Sequence, residues 1–467
     1  MQRVIGLAIA AMMVSGGGES PLAVAAGSSG AAGRFVSGSS LADVTALLTS
    51  ARGAPPMICA LAAQSVRRWG WGGDWNDAPS TPLRAIVSAV NDQLSLNSGK
   101  LPPEDIERLM TGLASDDACV RELAVRILGT QKDEPSSPVA RGLIVRLASN
   151  DASLREVAAL GLGYIEPSSA IDPLIRALRD ASPAVRANSA WALGRIEVGR
   201  ALRPLIDLFD DDASLVREAA IVAVGRMEST STVPALIRVV RQDNAPSVRR
   251  VAAWALGHIE SREAVQELAR ALGQDADARV REMSAWALGN IEDKSSLSAL
   301  TNAARRDADD RVRETAVWAL GQLEDRSSVE ILGQVAGSDR SSRVRGTAAW
   351  AIGQLDGRGM RAPAGLLQAL KDESEDTRIK AAWALGELGD VNALPAIREA
   401  LRAEKSDKMQ RALIRALMES GGRSETELTA LLNSSDPRVR EAAVRGLAGK
   451  GSFNPWPWPW PRPRPFP

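Results

Sequence analysis

The chain has 467 residues, 45% of them apolar but only 4% aromatic, and its 57 basic side chains are balanced by 57 acidic ones. That length admits several domains or one long array, and apolar content drawn mostly from Ala, Leu, Val and Ile suits closely packed helices better than sheets. With no net charge there is no long-range field to carry the protein onto a polyanion, which argues against a nucleic-acid partner.

Residues 1–26 read as an export signal. Gln2 and Arg3 give a short positive start, Val4 to Val14 form an apolar run, and Ala23 to Gly27 supply small residues for cleavage after Ala25 or Ala26. The run is too short to span a bilayer, and no Cys near the junction offers a site for lipid attachment. A periplasmic or secreted protein is expected. Residues 27–102 are atypical and are expected to form an irregular helical cap. Export also bears on Cys59 and Cys119, the only cysteines. An oxidising compartment permits a disulfide between them, closing a loop of about 60 residues worth roughly 4 kcal/mol in the chain-entropy account. Two buried free thiols are the alternative.

From 103 to 450 one segment is rewritten repeatedly. Gly129, Gly163, Gly194, Gly225, Gly257, Gly289, Gly321, Gly353 and Gly386 recur every 31 to 34 residues, and Met418 and Ala448 take that place in two further copies. Eight residues before each glycine stands an arginine: Arg121, Arg155, Arg186, Arg217, Arg249, Arg281, Arg313, Arg345 and Arg378, with Arg440 in the last copy and Gln410 in the one before it. A constant period of this length marks a repeat architecture. Each copy reads as a helical pair. The first helix opens after a capping residue, as at Ser182-Pro183 and Asp436-Pro437. Its apolar face in one copy is Val280, Ser284, Ala287, Leu288 and Ile291. The glycine is expected to ease the exit turn or a tight helix crossing. The second helix carries the same period, as in Ile171, Leu174, Ile175 and Leu178 or Val233, Leu236, Ile237 and Val240. Neither helix can bury its stripe alone, so about 10–11 stacked hairpins sharing one core are predicted.

The VRxxAxWALG block followed by a second amphipathic helix resembles the short HEAT repeat associated with phycobilisome lyases, over about three quarters of the chain. The resemblance implies an all-α, right-handed α-solenoid that binds macromolecules. It also implies an inter-repeat ladder of Asp and Arg, with Asp151, Asp277, Asp309 and Asp436 four positions before their arginines as the acidic members. The fold does not fix the task. Bilin-attaching lyases share such repeats, but this chain has one His, one Tyr, an export signal and no extra domain. Some envelope sensor metallopeptidases carry such repeats as tails, yet the metal-binding HExxH motif is absent, so that activity does not carry over.

No group of residues promises chemistry. A zinc site needs about three nitrogen, sulfur or carboxylate ligands together, and the chain offers one His and two distant Cys. A Ser-His-Asp arrangement would have to use the same His258, whose siblings in other copies are Arg195, Asn290 and Gln322. Carboxylates recur with the repeat, as caps and ladders do. No catalytic residue, metal site or cofactor is expected.

Three surfaces remain. Trp191, Trp254, Trp286, Trp318, Trp350 and Trp383 share the position three before the glycine. At about 100° per residue they should cover the seam between neighbouring first helices with an edge exposed. They serve there as lateral fillers or, alternatively, as an aromatic ridge for a partner. Arg176, Arg179, Arg238, Arg241, Arg270, Arg305 and Arg306 should line the inner, concave side, where they offset helix dipoles or meet a ligand. Residues 451–467 place Pro at every second position from Pro455, interleaved with Trp456, Trp458, Trp460, Arg462, Arg464 and Phe466. That pattern forbids a helix and favours a semi-extended rod suited to docking or to a lipid–water interface. The sequence therefore leads to an exported, non-enzymatic scaffold, expected to be monomeric, that binds a protein partner in the cell envelope. The alternatives are a regulatory or accessory subunit of an envelope enzyme and membrane-surface binding through the tail.

Overall fold

A computed structural model describes residues 44–53, 101–131, 137–355 and 357–421, with scattered positions from 429 to 444. The expected signal 1–26, most of the cap 27–102 including Cys59, and the tail 451–467 with Trp456, Trp458 and Trp460 lie outside the described residues. Among the described residues every regular element is helical. The chain begins with α1 (Val44–Ala51) and α2 (Pro103–Gly112), which pack on α3. Hairpins then follow in order: α3 and α4 (Ala118–Gly129, Pro138–Arg146), α5 and α6 (Ala152–Ile165, Ile171–Ala177), α7 and α8 (Pro183–Ile196, Leu202–Asp207). Next come α9 and α10 (Ser214–Arg226, Val233–Gln242), α11 and α12 (Pro246–His258, Val265–Gln274), α13 and α14 (Ala278–Ile291, Leu297–Arg306). The last are α15 and α16 (Asp310–Gln322, Val329–Ser338), α17 and α18 (Ser342–Gln354, Ala364–Ala369), α19 and α20 (Glu375–Leu388, Leu394–Ala403), and α21 (Asp407–Glu419).

Each first helix, the odd-numbered ones from α3, packs on the next first helix and on the helix just before it in the chain, which is α-solenoid stacking. First helices are therefore covered on three sides. In α13 burial extends beyond the predicted Val280, Ser284, Ala287, Leu288 and Ile291 to Met283 and Ala285. The preference for Ala follows, because helices in such close contact leave no room for longer side chains. Second helices bury only one stripe. Ile171, Leu174 and Leu178 are buried while Ile175 is half-covered.

The glycines resolve to one of their two predicted roles. They sit inside the first helix, where the next first helix crosses. A Cβ at Gly163 would stand 2.2 Å from Trp191 Cζ3, and one at Gly194 would stand 2.5 Å from the Ala223 backbone. The exit turn belongs to another residue. Glu166, Glu197, Glu228, Glu260, Glu292 and Glu324, three places after the glycine, hold φ between +47 and +56°. Gly389 takes the same turn in a later copy, at +63°. Glutamate there costs roughly 1 kcal/mol of backbone strain per copy.

Candidate functional site

The repeating arginine builds the strongest polar feature of the array. Arg281 spans two repeats: its Nε and Nη2 donate to the Asp307 carboxylate at 2.8 and 2.9 Å, and its Nη1 donates to the Asp275 carbonyl at 2.9 Å. Asp307 accepts in addition the Asp309 amide at 3.0 Å, and its own carbonyl receives Arg313 Nη1 at 3.0 Å. Every aspartate is thus held by the arginine before it and holds the arginine after it. The same pairing joins Arg155 to Asp180, Arg186 to Asp211, Arg217 to Asp243 and Arg249 to Asp275. It continues from Arg313 to Asp339, Arg345 to Asp372 and Arg378 to Glu404. These guanidinium–carboxylate pairs are largely buried and, except at Arg378, which meets Glu404 through one hydrogen bond, two-toothed, the geometry in which such pairs are strongest. The hydrogen bond from Arg155 is the largest influence on Asp180 and holds its carboxyl below the ordinary range. Burial alone would raise Asp275, but Arg249 and the Asp277 amide outweigh it.

The acidic members differ from those the sequence suggested. Asp151, Asp277 and Asp309 cap their helices, accepting the amides of Ser153, of Arg279 and Val280, and of Arg311; Asp436 lies outside the described residues. The ladder carboxylates stand two residues earlier, six before each arginine. That spacing was visible in the sequence, since Asp180, Asp211, Asp243, Asp275, Asp307, Asp339 and Asp372 all obey it. The slots at the two ends hold serine. Arg121 donates to the Ser115 carbonyl and its partner slot is Ser149, while Arg440 donates to the Ser434 carbonyl. Gln410 keeps half of the arginine's work by donating to the Glu404 carbonyl. Ser182, expected as a side-chain cap, occupies the N-cap position without such a bond.

The tryptophans act as fillers. Each touches the glycine of the preceding first helix: Gly163 meets Trp191, Gly225 meets Trp254, Gly257 meets Trp286, Gly289 meets Trp318, Gly321 meets Trp350 and Gly353 meets Trp383. Trp191, Trp254 and Trp350 are only 1–2% exposed, so they show no edge, whereas Trp286, Trp318 and Trp383 are half-buried. A continuous aromatic ridge is therefore absent along this row. Polar neighbours close it: Arg195 lies over the Trp191 ring at 5.7 Å, and His258 stacks on Trp254 at 5.2 Å while its Nε2 is 3.3 Å from Glu228.

Three of the seven inner arginines are committed. Arg238 is paired with Asp210, and Arg241 and Arg270 share the buried Glu267. They do not stand as free cations for a ligand, one of the two roles the sequence left open. Arg176, Arg179, Arg305 and Arg306 differ: all are exposed, and no carboxylate pairs with them among the described residues. Cys119 is buried and disulfide-bonded, and its expected partner Cys59 is outside the described residues. Among the described residues no cluster of three metal-ligating side chains occurs, and no helix is long and apolar enough to cross a membrane.

Stacked hairpins locked by a buried ladder define an α-solenoid. The family model of HEAT repeats matches residues 140–225, 233–321, 297–364 and 363–448, and the chain belongs to the HEAT-repeat family. No curated protein sequence matches it. Among solved structures it is similar to Kap95 in the Kap95:Nup1 complex at 14% identity, covering 74% of this chain and 57% of that one with a TM-score of 0.51. It is also similar to an engineered protein at 21% identity, covering 73% of this chain and 98% of the other with a TM-score of 0.40. The complex of CpcE and CpcF of phycocyanin lyase from Nostoc is 24% identical over 53% of this chain and 94% of that one, with a TM-score of 0.32. Likenesses at these identities concern the fold alone.

Proposed function

We propose that this chain is an exported, non-enzymatic scaffold that binds a protein partner in the cell envelope. The observation that carries the reading is the ladder: polar groups recurring with the repeat are consumed in joining one hairpin to the next, which leaves surface rather than chemistry for function. Solenoids of this kind present long rows of second helices to macromolecules, and Kap95 in complex with Nup1 is a neighbour that engages a protein. Export rests on the Arg3, Val4–Val14 and Ala23–Gly27 pattern.

The test is capture of the tagged mature chain from cell envelopes, beside a form ending at Gly451, with the retained proteins identified. A partner kept by both forms supports the scaffold. One enzyme retained in fixed ratio makes the chain its accessory subunit. Loss of every partner with the tail, together with loss of liposome binding, transfers function to Trp456, Trp458 and Trp460 and overturns the proposal.

A further inference from the structure

Successive second helices do not approach each other equally. α16 and α18 are pressed together: a Cβ on Gly365 would lie 1.9 Å from the Gly333 carbonyl oxygen, and one on Gly337 would lie 2.8 Å from Gly365 Cα. From α10 to α18, the pair that touches least is α14 and α16. Between these two a groove of about 530 Å³ opens, with Ile331 and Val335 on its apolar side and Gln334 beside them. Arg305, Arg306 and Arg340 stand on its rim, all exposed. The Arg340 guanidinium is held in place by a hydrogen bond to the Ala308 carbonyl.

The charges around the groove do not cancel. Arg313 on its floor is matched by Asp339, and Asp307 by Arg281. Asp310 faces Arg343, and Asp309 is turned to the backbone amide of Arg311. The three rim arginines have no carboxylate partner among the described residues. The groove near α10 has the opposite character: it is flanked by Asp210, Asp211 and Asp212, and its Arg238 is already paired with Asp210. Arginine forks grip carboxylates two-toothed, and an apolar wall beside them suits a peptide with intervening aliphatic side chains. With no net charge on the chain, a long polyanion gains little beyond this one groove.

We propose that the groove between α14 and α16 is a docking site for an acidic, Asp/Glu-rich peptide segment of a protein partner. The proposal rests on the scaffold reading and gives it a place and a chemistry. The probe is a fluorescein-labelled decaglutamate peptide, titrated with the full mature chain and followed by anisotropy. Arg305→Glu/Arg306→Glu should weaken binding about ten-fold or more, equivalent to 1.4 kcal/mol or more. Arg176→Glu/Arg179→Glu, the same charge change on α6 and its exit, should alter it less than about two-fold. A circular-dichroism melt of each variant separates loss of the groove from loss of fold, and Arg340→Ala, a milder change, should also weaken the peptide. Equal losses in both double variants, no binding by the wild type, or binding of phosphatidylglycerol vesicles in preference to the peptide would each overturn it. Envelope capture with the Arg305→Glu/Arg306→Glu chain distinguishes the two proposals. A partner still retained by that variant sinks the groove and leaves the scaffold standing, whereas no partner with either chain sinks the scaffold itself.

Discussion

Arg281→Ala is the most informative single break in the array. It removes two hydrogen bonds to Asp307 and one to the Asp275 carbonyl. The Asp307 carboxylate then keeps only the Asp309 amide among these contacts, in a place where its side chain is 8% exposed. Removing one member of a buried pair costs about 3–5 kcal/mol, since the remaining charge is left dry and unmatched. Arg281 itself is 16% exposed, so water can enter the gap, and the lower end, about 3 kcal/mol, applies here. Arg281→Lys keeps the charge but loses the fork and should cost about half as much. Arg281→Ala/Asp307→Ala should cost clearly less than the two single changes added together, because no orphaned charge remains. Urea unfolding followed by far-ultraviolet circular dichroism measures all three. A loss below about 0.5 kcal/mol for Arg281→Ala would show that the ladder behaves as an ordinary surface ion pair and would refute the structural role assigned to it.

Other outcomes follow from the same geometry. Gly163→Ala puts a methyl 2.2 Å from Trp191 Cζ3; about 1–3 kcal/mol should be lost, with a changed tryptophan emission, and an unchanged melt would contradict the close crossing. Glu260→Gly, at φ +55° on the surface, should raise stability by about 1 kcal/mol by relieving backbone strain; a lower melting temperature would count against the strained turn. The carboxyl of Asp180 lies below its ordinary 3.8 when folded, chiefly through Arg155, so its contribution is present above that value and is lost as pH falls through the depressed one. Asp180→Asn should flatten the acid limb of a stability–pH profile, and an unaltered limb would exclude the pair as its source. Glu282 runs the other way. Burial raises its carboxyl above 4.5, so its favourable contribution is present below that value and is lost as pH rises through the raised one. Glu282→Gln should therefore stabilise the array at neutral pH, and a destabilised variant would show that the charged form is needed.

The period of glycine and arginine carried the architecture in plain view, because a solenoid repeats its contacts whenever it repeats its letters. The ladder carboxylates were equally legible, six residues before each arginine. They were displaced in the reading by the aspartates at four, which cap helices instead. What the letters could not convey was spacing between second helices. Arg238, Arg241 and Arg305 occupy related places in their copies, yet Asp210 and Glu267 engage the first two while Arg305 stands unpaired beside an open groove. Arg241 meets Glu267 26 residues on, where Arg305 has the apolar Ile331. Glutamate in a left-handed turn was likewise hidden, because its favoured conformations lie elsewhere.

The account of a scaffold that docks its partner in the groove between α14 and α16 is tested most directly by site-specific photo-crosslinking in the living envelope. A photoreactive side chain at Gln334, beside the groove, is compared with one at Arg203, exposed on α8 away from it. The account predicts one discrete protein adduct from Gln334 that is lost with Arg305→Glu/Arg306→Glu, and none from Arg203. Adducts of equal yield from both positions, or from neither, would contradict it.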